Sequence, residues 1–110
     1  MNVDFKGYNE NVATFIADNS VAAGKFVVMD ENYSVKAASE DDEIFGYCVG
    51  VRDGYAAVQL EGYVEAPVSG DVDLGLTSIA AASATAVAAS ETAAAHKVVF
   101  VSDNVIGFIL

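Results

Sequence analysis

IFGYCVGVRDGYAAVQLEGYV, residues 44–64, is the stretch that decides the fold. Two apolar runs rich in Val and Tyr flank Asp53-Gly54, a pair of residues that accepts the positive φ angles of a tight hairpin turn. The stretch therefore predicts a β-hairpin with arms at 44–51 and 55–64. Alternation along the second arm predicts that its larger apolar side chains face the core. These side chains are Val58, Leu60 and Val64.

Similar runs recur on both sides of this hairpin, separated by Gly, Asn, Asp and Ser. They cover residues 12–17, 25–29 and 33–37 before it, and a second hairpin at 98–101 and 105–110 after it. This spacing is typical of small β-barrels and sandwiches. We therefore predict an all-β fold, a small β-barrel with short hairpins.

The secondary structure of the Ala-rich stretch 79–95 is harder to predict. Alanine favours helix, but the large apolar residues of the stretch, Ile79 and Val87, are too sparse for a helical stripe that faces a core. We expect extended or irregular backbone there, with at most one short helical turn near residues 90–96.

The chain is expected to form one domain with an internal repeat. Residues 1–11 are predicted to be an N-terminal arm or tail, and 12–110 a single β domain. A two-fold repeat over about 20–50 and 71–110 is indicated by Ala-Ala-Ser-Glu, which occurs at 37–40 and 51 residues later. Gly24 and Gly75 have the same separation, whereas Gly46 matches Gly107 only after an insertion of about ten residues.

Composition excludes several classes of function. The 110 residues include 16 acidic and 5 basic side chains, for a formal net charge of -11 at pH 7. So few basic groups cannot hold a phosphate backbone, and they disfavour anionic membranes, so we expect neither a nucleic-acid nor a membrane partner. A composition that is 54% hydrophobic is too apolar for a disordered chain.

The N-terminus shows no secretory signal, because it has neither a basic region nor an apolar one. The chain has one cysteine, Cys48, so an internal disulfide is impossible, which fits a protein made in a reducing cell interior. The flanks of Cys48 are strand-like and predict a packed thiol.

Residues suited to catalysis or metal binding do not form a recognisable motif. The one imidazole, His96, lies in a polar segment and is predicted to be a solvated surface residue. The acidic run 40–43 and the Asp71/Asp73 pair lack the spacing of a Ca²⁺ loop. No phosphate-binding loop or nucleophile elbow occurs. We therefore predict no catalytic, cofactor-binding or metal-binding residues, no cofactor, and no enzyme activity.

Several aromatic and apolar residues remain as candidates for a partner interface, because tyrosine is frequent at protein contacts. Three lie in the N-terminal segment and three on or beside the predicted hairpin. The alternative is that the hairpin tyrosines cover the protein's own core. The six candidates are Val3, Phe5, Tyr8, Tyr47, Tyr55 and Tyr63.

The order of these motifs resembles the capsid decoration (cement) proteins of tailed phages. The residues that carry the resemblance are SVAAGKFVVMD at 20–30, YSVK at 33–36, IFGYCVGV at 44–51 and AVQLEGYVE at 57–65. In that family a Gly-led strand is followed by a hairpin, a Val-Gly-Val strand and a closing strand that ends in Val-Glu. The resemblance covers residues 13–110, with the Ala-rich second half departing furthest from the pattern.

This resemblance implies a β-clip or β-tulip-like domain that forms a homo-oligomer, often a trimer, and binds the major capsid protein. Such a protein is made in the host cytoplasm, lies on the outer surface of the virion, and stabilises contacts between capsid subunits.

Two other functions stay open. One is a non-catalytic β module that binds a surface or a carbohydrate. The other is a carrier domain of lipoyl or biotinyl type, since residues 64–70 are similar to the entry strand of such domains. A carrier needs a modifiable lysine on a tight hairpin, and the surroundings of Lys97 do not fit that requirement.

Overall fold

Ten β-strands account for the regular structure of residues 11–110, the part of the chain that the structure, a computed structural model, describes. The strands are β1 (Asn11–Ala17), β2 (Phe26–Glu31), β3 (Ser34–Ala37), β4 (Gly46–Arg52), β5 (Tyr55–Glu61), β6 (Tyr63–Ser69), β7 (Gly75–Ala81), β8 (Val87–Ala89), β9 (Ala95–Val101) and β10 (Val105–Ile109). The predicted all-β class is therefore confirmed.

The strands form two closed five-stranded barrels. The first barrel has the order β1-β3-β2-β4-β5, and the second has the order β6-β8-β7-β9-β10, with the ends of each order paired to one another. In each barrel the first and third strands pair in parallel, and every other pairing is antiparallel. The two barrels thus share one topology.

The decisive hairpin forms as predicted. Asp53 and Gly54 have φ angles of 54° and 82°, as a two-residue type I′ turn requires. Arg52 of β4 then lies opposite Tyr55 of β5. Because the backbone twist of this turn matches that of the flanking strands, it fixes the register of the first barrel.

The sequence predicted one continuous arm from 55 to 64, and this is wrong. The arm divides at Gly62, which has a φ of 102° and separates β5 of the first barrel from β6 of the second. Gln59, only 5% exposed, secures the break: its Nε2 donates to the carbonyl oxygens of Glu61 at 3.0 Å and Tyr63 at 3.3 Å. The buried side-chain amide of Gln59 is therefore satisfied by backbone carbonyl groups on both sides of Gly62.

Two hydrophobic clusters form the core. The first barrel encloses one cluster, whose fully buried members include Val27, Cys48 and Val58. The second cluster fills the second barrel and continues into the first through Phe26. Of the predicted core residues, Val58 and Val64 are buried, and Leu60 is partly buried against the first cluster.

The Ala-rich stretch contributes two strands and no helical turn among its residues, all of which the structure describes. Ile79 and Val87 are fully buried inside the second barrel. Ala80 and Ala81 are buried as well, so the small alanine side chain serves here as a core residue.

Strand topology corrects one part of the predicted repeat. Gly46 lies in β4 and Gly107 in β10, which hold different places in their barrels. The strand that corresponds to β4 is β9, and the strand that corresponds to β5 is β10. The proposed match of Gly46 with Gly107 is therefore wrong.

The arm predicted over residues 1–11 lies outside the described residues, except for Asn11, with which β1 begins. Within residues 11–110, the structure has no helix long and apolar enough to span a bilayer.

Candidate functional site

Cys48 is sealed inside the first barrel. Its side chain is fully buried, and its Sγ donates a hydrogen bond of 3.4 Å to the Gly50 carbonyl oxygen. Burial raises the pKa of the thiol, because it disfavours the charged thiolate. The packed thiol that the sequence predicted is what the structure contains.

His96 departs from its predicted surface position. It is half-buried, its Nδ1 lies 3.2 Å from the Ile109 carbonyl oxygen, and its ring meets Phe108 edge-on with centroids 5.7 Å apart. The strand pattern places the ring at the wall of the second barrel, which the polar neighbours of His96 did not indicate. Among residues 11–110, no group of three or more His, Cys, Asp or Glu side chains is placed to hold a metal ion.

The carrier function needs a lysine at a hairpin tip, and Lys97 is elsewhere. It lies inside β9, paired with Leu76 on one side and Ile109 on the other. A lysine in the middle of a barrel wall does not have the geometry that a modifying ligase recognises in such domains.

The three hairpin tyrosines that the sequence grouped have different environments. Tyr47 packs on the core, with its ring 5.3 Å from that of Phe26. Tyr63 is half-buried, and its hydroxyl donates to a Glu65 carboxylate oxygen at 2.7 Å. Tyr55 is 55% exposed, so it is the hairpin tyrosine that offers most of its ring to a partner. The other candidates, Val3, Phe5 and Tyr8, lie outside the described residues.

Tyr55 borders a shallow groove of about 320 Å³ on the outer wall of the first barrel, here named the Tyr55 groove. Its residues are Thr14, Gly50, Val51, Arg52, Tyr55, Ala56 and Ala57. Small residues make its floor: Thr14, Ala57 and Gly50 lie side by side on β1, β5 and β4. A side-chain carbon at Gly50 would meet nothing within 4 Å, so the floor is open.

The hairpin turn sets the walls of this groove. Because Arg52 and Tyr55 are directly paired across the Asp53-Gly54 turn, a cation and an aromatic ring stand side by side at the turn end of the groove. The Arg52 side chain is 94% exposed, and its Nε lies 3.9 Å from a carboxylate oxygen of Asp53, whose side chain is 87% exposed. Such an ion pair has little energetic value in water. The groove can therefore receive an apolar side chain next to an acidic one.

A second exposed apolar surface, the β2–β3 tip, was not anticipated. It is lined by Phe15, Met29, Asn32 and Tyr33, and the ring of Phe45 lies 5.8 Å from that of Phe15. Tyr33 is 78% exposed and has a φ of 62°, which is uncommon for a large side chain. In the sequence, the aromatic residue Tyr33 at a turn position could have indicated this surface.

A third surface, the β7 face, carries two exposed leucines beside a lysine. Leu74 and Leu76 are 65% and 75% exposed, and Leu76 is paired with Lys97 of β9. This surface was not predicted from the sequence.

Comparison of the chain with protein-family models and with curated proteins finds no match.

Proposed function

We propose that this protein is a structural virion protein that binds the outside of an icosahedral phage capsid and stabilises contacts between subunits of the major capsid protein. The observation that carries the proposal is the Tyr55 groove, an exposed apolar recess on a closed barrel. The strand motifs that resemble decoration proteins, 44–51 and 57–65, flank the turn beside this groove and include three of its residues, Gly50, Val51 and Ala57.

The groove is held in shape before any partner arrives. Its floor residues belong to three hydrogen-bonded strands, and a two-residue turn fixes the backbone positions of Arg52 and Tyr55. A preorganised site loses little conformational entropy on binding. An aromatic ring beside a small-residue floor is also the kind of anchor that dominates protein interfaces.

Charge supports the same function. The net charge of -11 keeps copies of the protein apart until complementary contacts form. Arg52 is the only arginine in the sequence, and it stands at the rim of the groove. Arginine recognises carboxylates through a planar pair of donors. We therefore expect the groove to take an apolar side chain of the capsid protein that is flanked by Asp or Glu.

In this proposal the protein acts through interface area and shape. It is made in the host cytoplasm, forms a homo-oligomer such as a trimer, and occupies the outer virion surface in many symmetric copies. Multiple weak contacts of one kind then add up to strong attachment.

Co-sedimentation with capsids tests the proposal. The purified protein is mixed with expanded capsids, and separately with immature shells, assembled from the major capsid protein of the genome that encodes this chain. We expect saturable binding to expanded capsids only. Tyr55→Ala should weaken binding about tenfold or more, because it removes the central aromatic anchor. Phe100→Ala, which truncates a 46% exposed ring on the second barrel, is the matched control and should bind normally.

Binding no stronger than that of an unrelated acidic protein of the same size would overturn the proposal. A genome without a major capsid protein gene would do the same. Glycan binding that Tyr55→Ala abolishes, without capsid binding, would instead support the carbohydrate-binding module.

A further inference from the structure

The Tyr55 groove has a counterpart on the second barrel, because the β4–β5 and β9–β10 hairpins share one register. Gly50 pairs with Ala57 as Phe100 pairs with Gly107. In both hairpins a one-residue register shift lies immediately before this pair, in β4 and in β9. Gly50 in the groove floor therefore corresponds to Phe100, and Ala57 corresponds to Gly107.

On the second barrel, two aromatic rings of the chain itself cover this place. Phe100 stands directly opposite Gly107 and is 46% exposed, so more than half of its surface is covered. The Tyr63 ring lies across Gly107 so closely that a side-chain carbon at that glycine would overlap the ring. The wall of the second barrel is therefore closed where the first barrel has its groove.

On the first barrel, the place of the Phe100 ring is open. Gly50 has no side chain, and a carbon added there would meet nothing within 4 Å. Ala57 carries a methyl group where Gly107 lets the Tyr63 ring approach, so a ring cannot come equally close over Ala57. The groove of about 320 Å³ thus offers the position over Gly50.

The two barrels also differ at the turn end of this place. Arg52 and Tyr55 border the groove, whereas the paired residues at the corresponding turn are Ser102 and Val105. A guanidinium stacks on the face of an aromatic ring, and a second ring makes an edge-to-face contact with it. An aliphatic side chain makes neither contact. The first barrel therefore lacks a ring of its own and has two groups beside the open place that favour one.

Electrostatics favours the same occupant. The face of an aromatic ring is its negative side, and it is complementary to the Arg52 cation. Arg52 is 94% exposed, and its contact with Asp53 at 3.9 Å is made through Nε, at the edge of the guanidinium plane. The guanidinium can keep that contact and present its flat face to a ring.

We propose that the Tyr55 groove takes an aromatic side chain of the partner, whose ring lies over Gly50 in the place that the Phe100 ring holds on the second barrel. Arg52 and Tyr55 contact that ring. The inference rests on the proposed function for the identity of the partner, a subunit of the major capsid protein, and it specifies which kind of apolar side chain the groove takes.

Amide NMR spectra of the isotope-labelled full chain test the inference without capsids. The probe is N-acetyl-tyrosinamide, and N-acetyl-leucinamide is the aliphatic control. Both are uncharged, so the net charge of the protein affects them alike. We expect the tyrosine probe to shift the amide signals of Gly50, Val51 and Ala57 until they saturate. It should bind about tenfold more tightly than the leucine probe, because only an aromatic ring makes both rim contacts.

Three variants test the place of the ring and the groups that select it. Gly50→Phe builds the counterpart of Phe100 into the first barrel and should abolish binding of the tyrosine probe. Gly50 does not have a positive φ, so the larger residue is compatible with the backbone. Val99→Phe, the matched control, adds a ring at an exposed position of the second barrel and should bind like the wild type. Arg52→Ser should lower the preference for tyrosine over leucine about threefold. Circular dichroism checks the fold of each variant.

The inference would be overturned by equal binding of the two probes, by the lack of a saturable shift in the groove, or by wild-type binding in Gly50→Phe. Capsid co-sedimentation distinguishes it from the proposed function, because Gly50→Phe should weaken capsid binding about tenfold or more. Capsid binding that Gly50→Phe leaves intact would contradict the inference and not the proposed function. The expected probe pattern in a protein that does not bind capsids would support the aromatic preference of the groove and contradict the proposed function.

Discussion

Phe26 of the first barrel and Phe108 of the second stack on each other, with ring centroids 6.1 Å apart and planes inclined by 28°. Both rings are fully buried, and they belong to the same hydrophobic cluster. The two closed barrels are therefore joined by one shared cluster.

Truncation of Phe26 should destabilise the whole molecule. Phe26→Ala removes a buried ring from the shared cluster, and we expect a loss of about 3–5 kcal/mol in the free energy of unfolding. Urea denaturation followed by circular dichroism and by tyrosine fluorescence measures it. Leu74→Ala, an exposed truncation, is the control and should change little. Two separate unfolding transitions in the wild type would contradict a shared core.

Substitution of two β4 glycines by alanine should change the stability of the protein in opposite directions. A side-chain carbon at Gly46 would lie 2.5 Å from Val58 Cγ1 and 3.0 Å from the Gln59 carbonyl oxygen. We expect Gly46→Ala to cost about 1–3 kcal/mol through overpacking. At Gly50 nothing lies within 4 Å, and Gly50→Ala should stabilise the protein by about 0.4–1 kcal/mol by restricting the unfolded chain. Equal effects in thermal or urea unfolding would contradict the packing around Gly46.

Cys48 should resist alkylation while the protein is folded. Burial raises the pKa of its thiol, so the thiolate that reacts is scarce and enclosed. Iodoacetamide at mildly alkaline pH, followed by intact mass, should show modification only in denaturant. Since the folded pKa is the higher one, the neutral thiol's contribution to stability is complete below the ordinary thiol pKa and is lost as pH rises toward the folded value. Alkylation of the native protein at the rate of the denatured one would refute this.

Asp18 should titrate below the ordinary range for aspartate. The Ser20 hydroxyl and the Ser20 backbone N–H both donate to the Asp18 carboxylate, at 2.5 Å and 2.6 Å, and these bonds lower its pKa. The stability linked to this carboxylate is present above the unfolded pKa and is lost as pH falls through the folded value.

Ser20→Ala tests this assignment, because it removes the hydroxyl donor and should raise the Asp18 pKa toward its ordinary value. An NMR titration of the carboxyl carbon measures the midpoint in both proteins. The Ser20 hydroxyl oxygen also accepts from the Ala37 N–H at 3.0 Å, so the end of β3 should loosen in the variant. An unchanged midpoint would show that the hydroxyl does not set the pKa.

The hairpin turn of the first barrel was predictable because neighbouring residues alone determine its conformation. The Asp53-Gly54 turn requires positive φ angles, and those two residues supply them. The division at Gly62 was not predictable, because the alternation of apolar residues continues from Leu60 to Val64 across it. Strands β5 and β6 are separate because the chain passes there from the first barrel into the second. This is a tertiary feature, and it does not change the alternation of apolar residues in the sequence.

The candidate site was predictable only in part, for a similar reason. Tyr47, Tyr55 and Tyr63 are alike in sequence, and their exposure depends on what packs over each strand. Phe26 packs against Tyr47 and covers it, whereas Tyr55 faces outward next to Gly50. Leu76 was missed because a leucine in a strand is usually a core residue, and here the strand that carries it turns that side chain away from the core.

Closure of both barrels has a consequence for how the chain can aggregate. In an open sheet the outermost strand presents unpaired amide and carbonyl groups that template the addition of a foreign strand. Here each of the ten strands is flanked by two others. The described strands are thus poor seeds for amyloid-like stacking, even though the protein is mostly β structure and rich in valine and alanine.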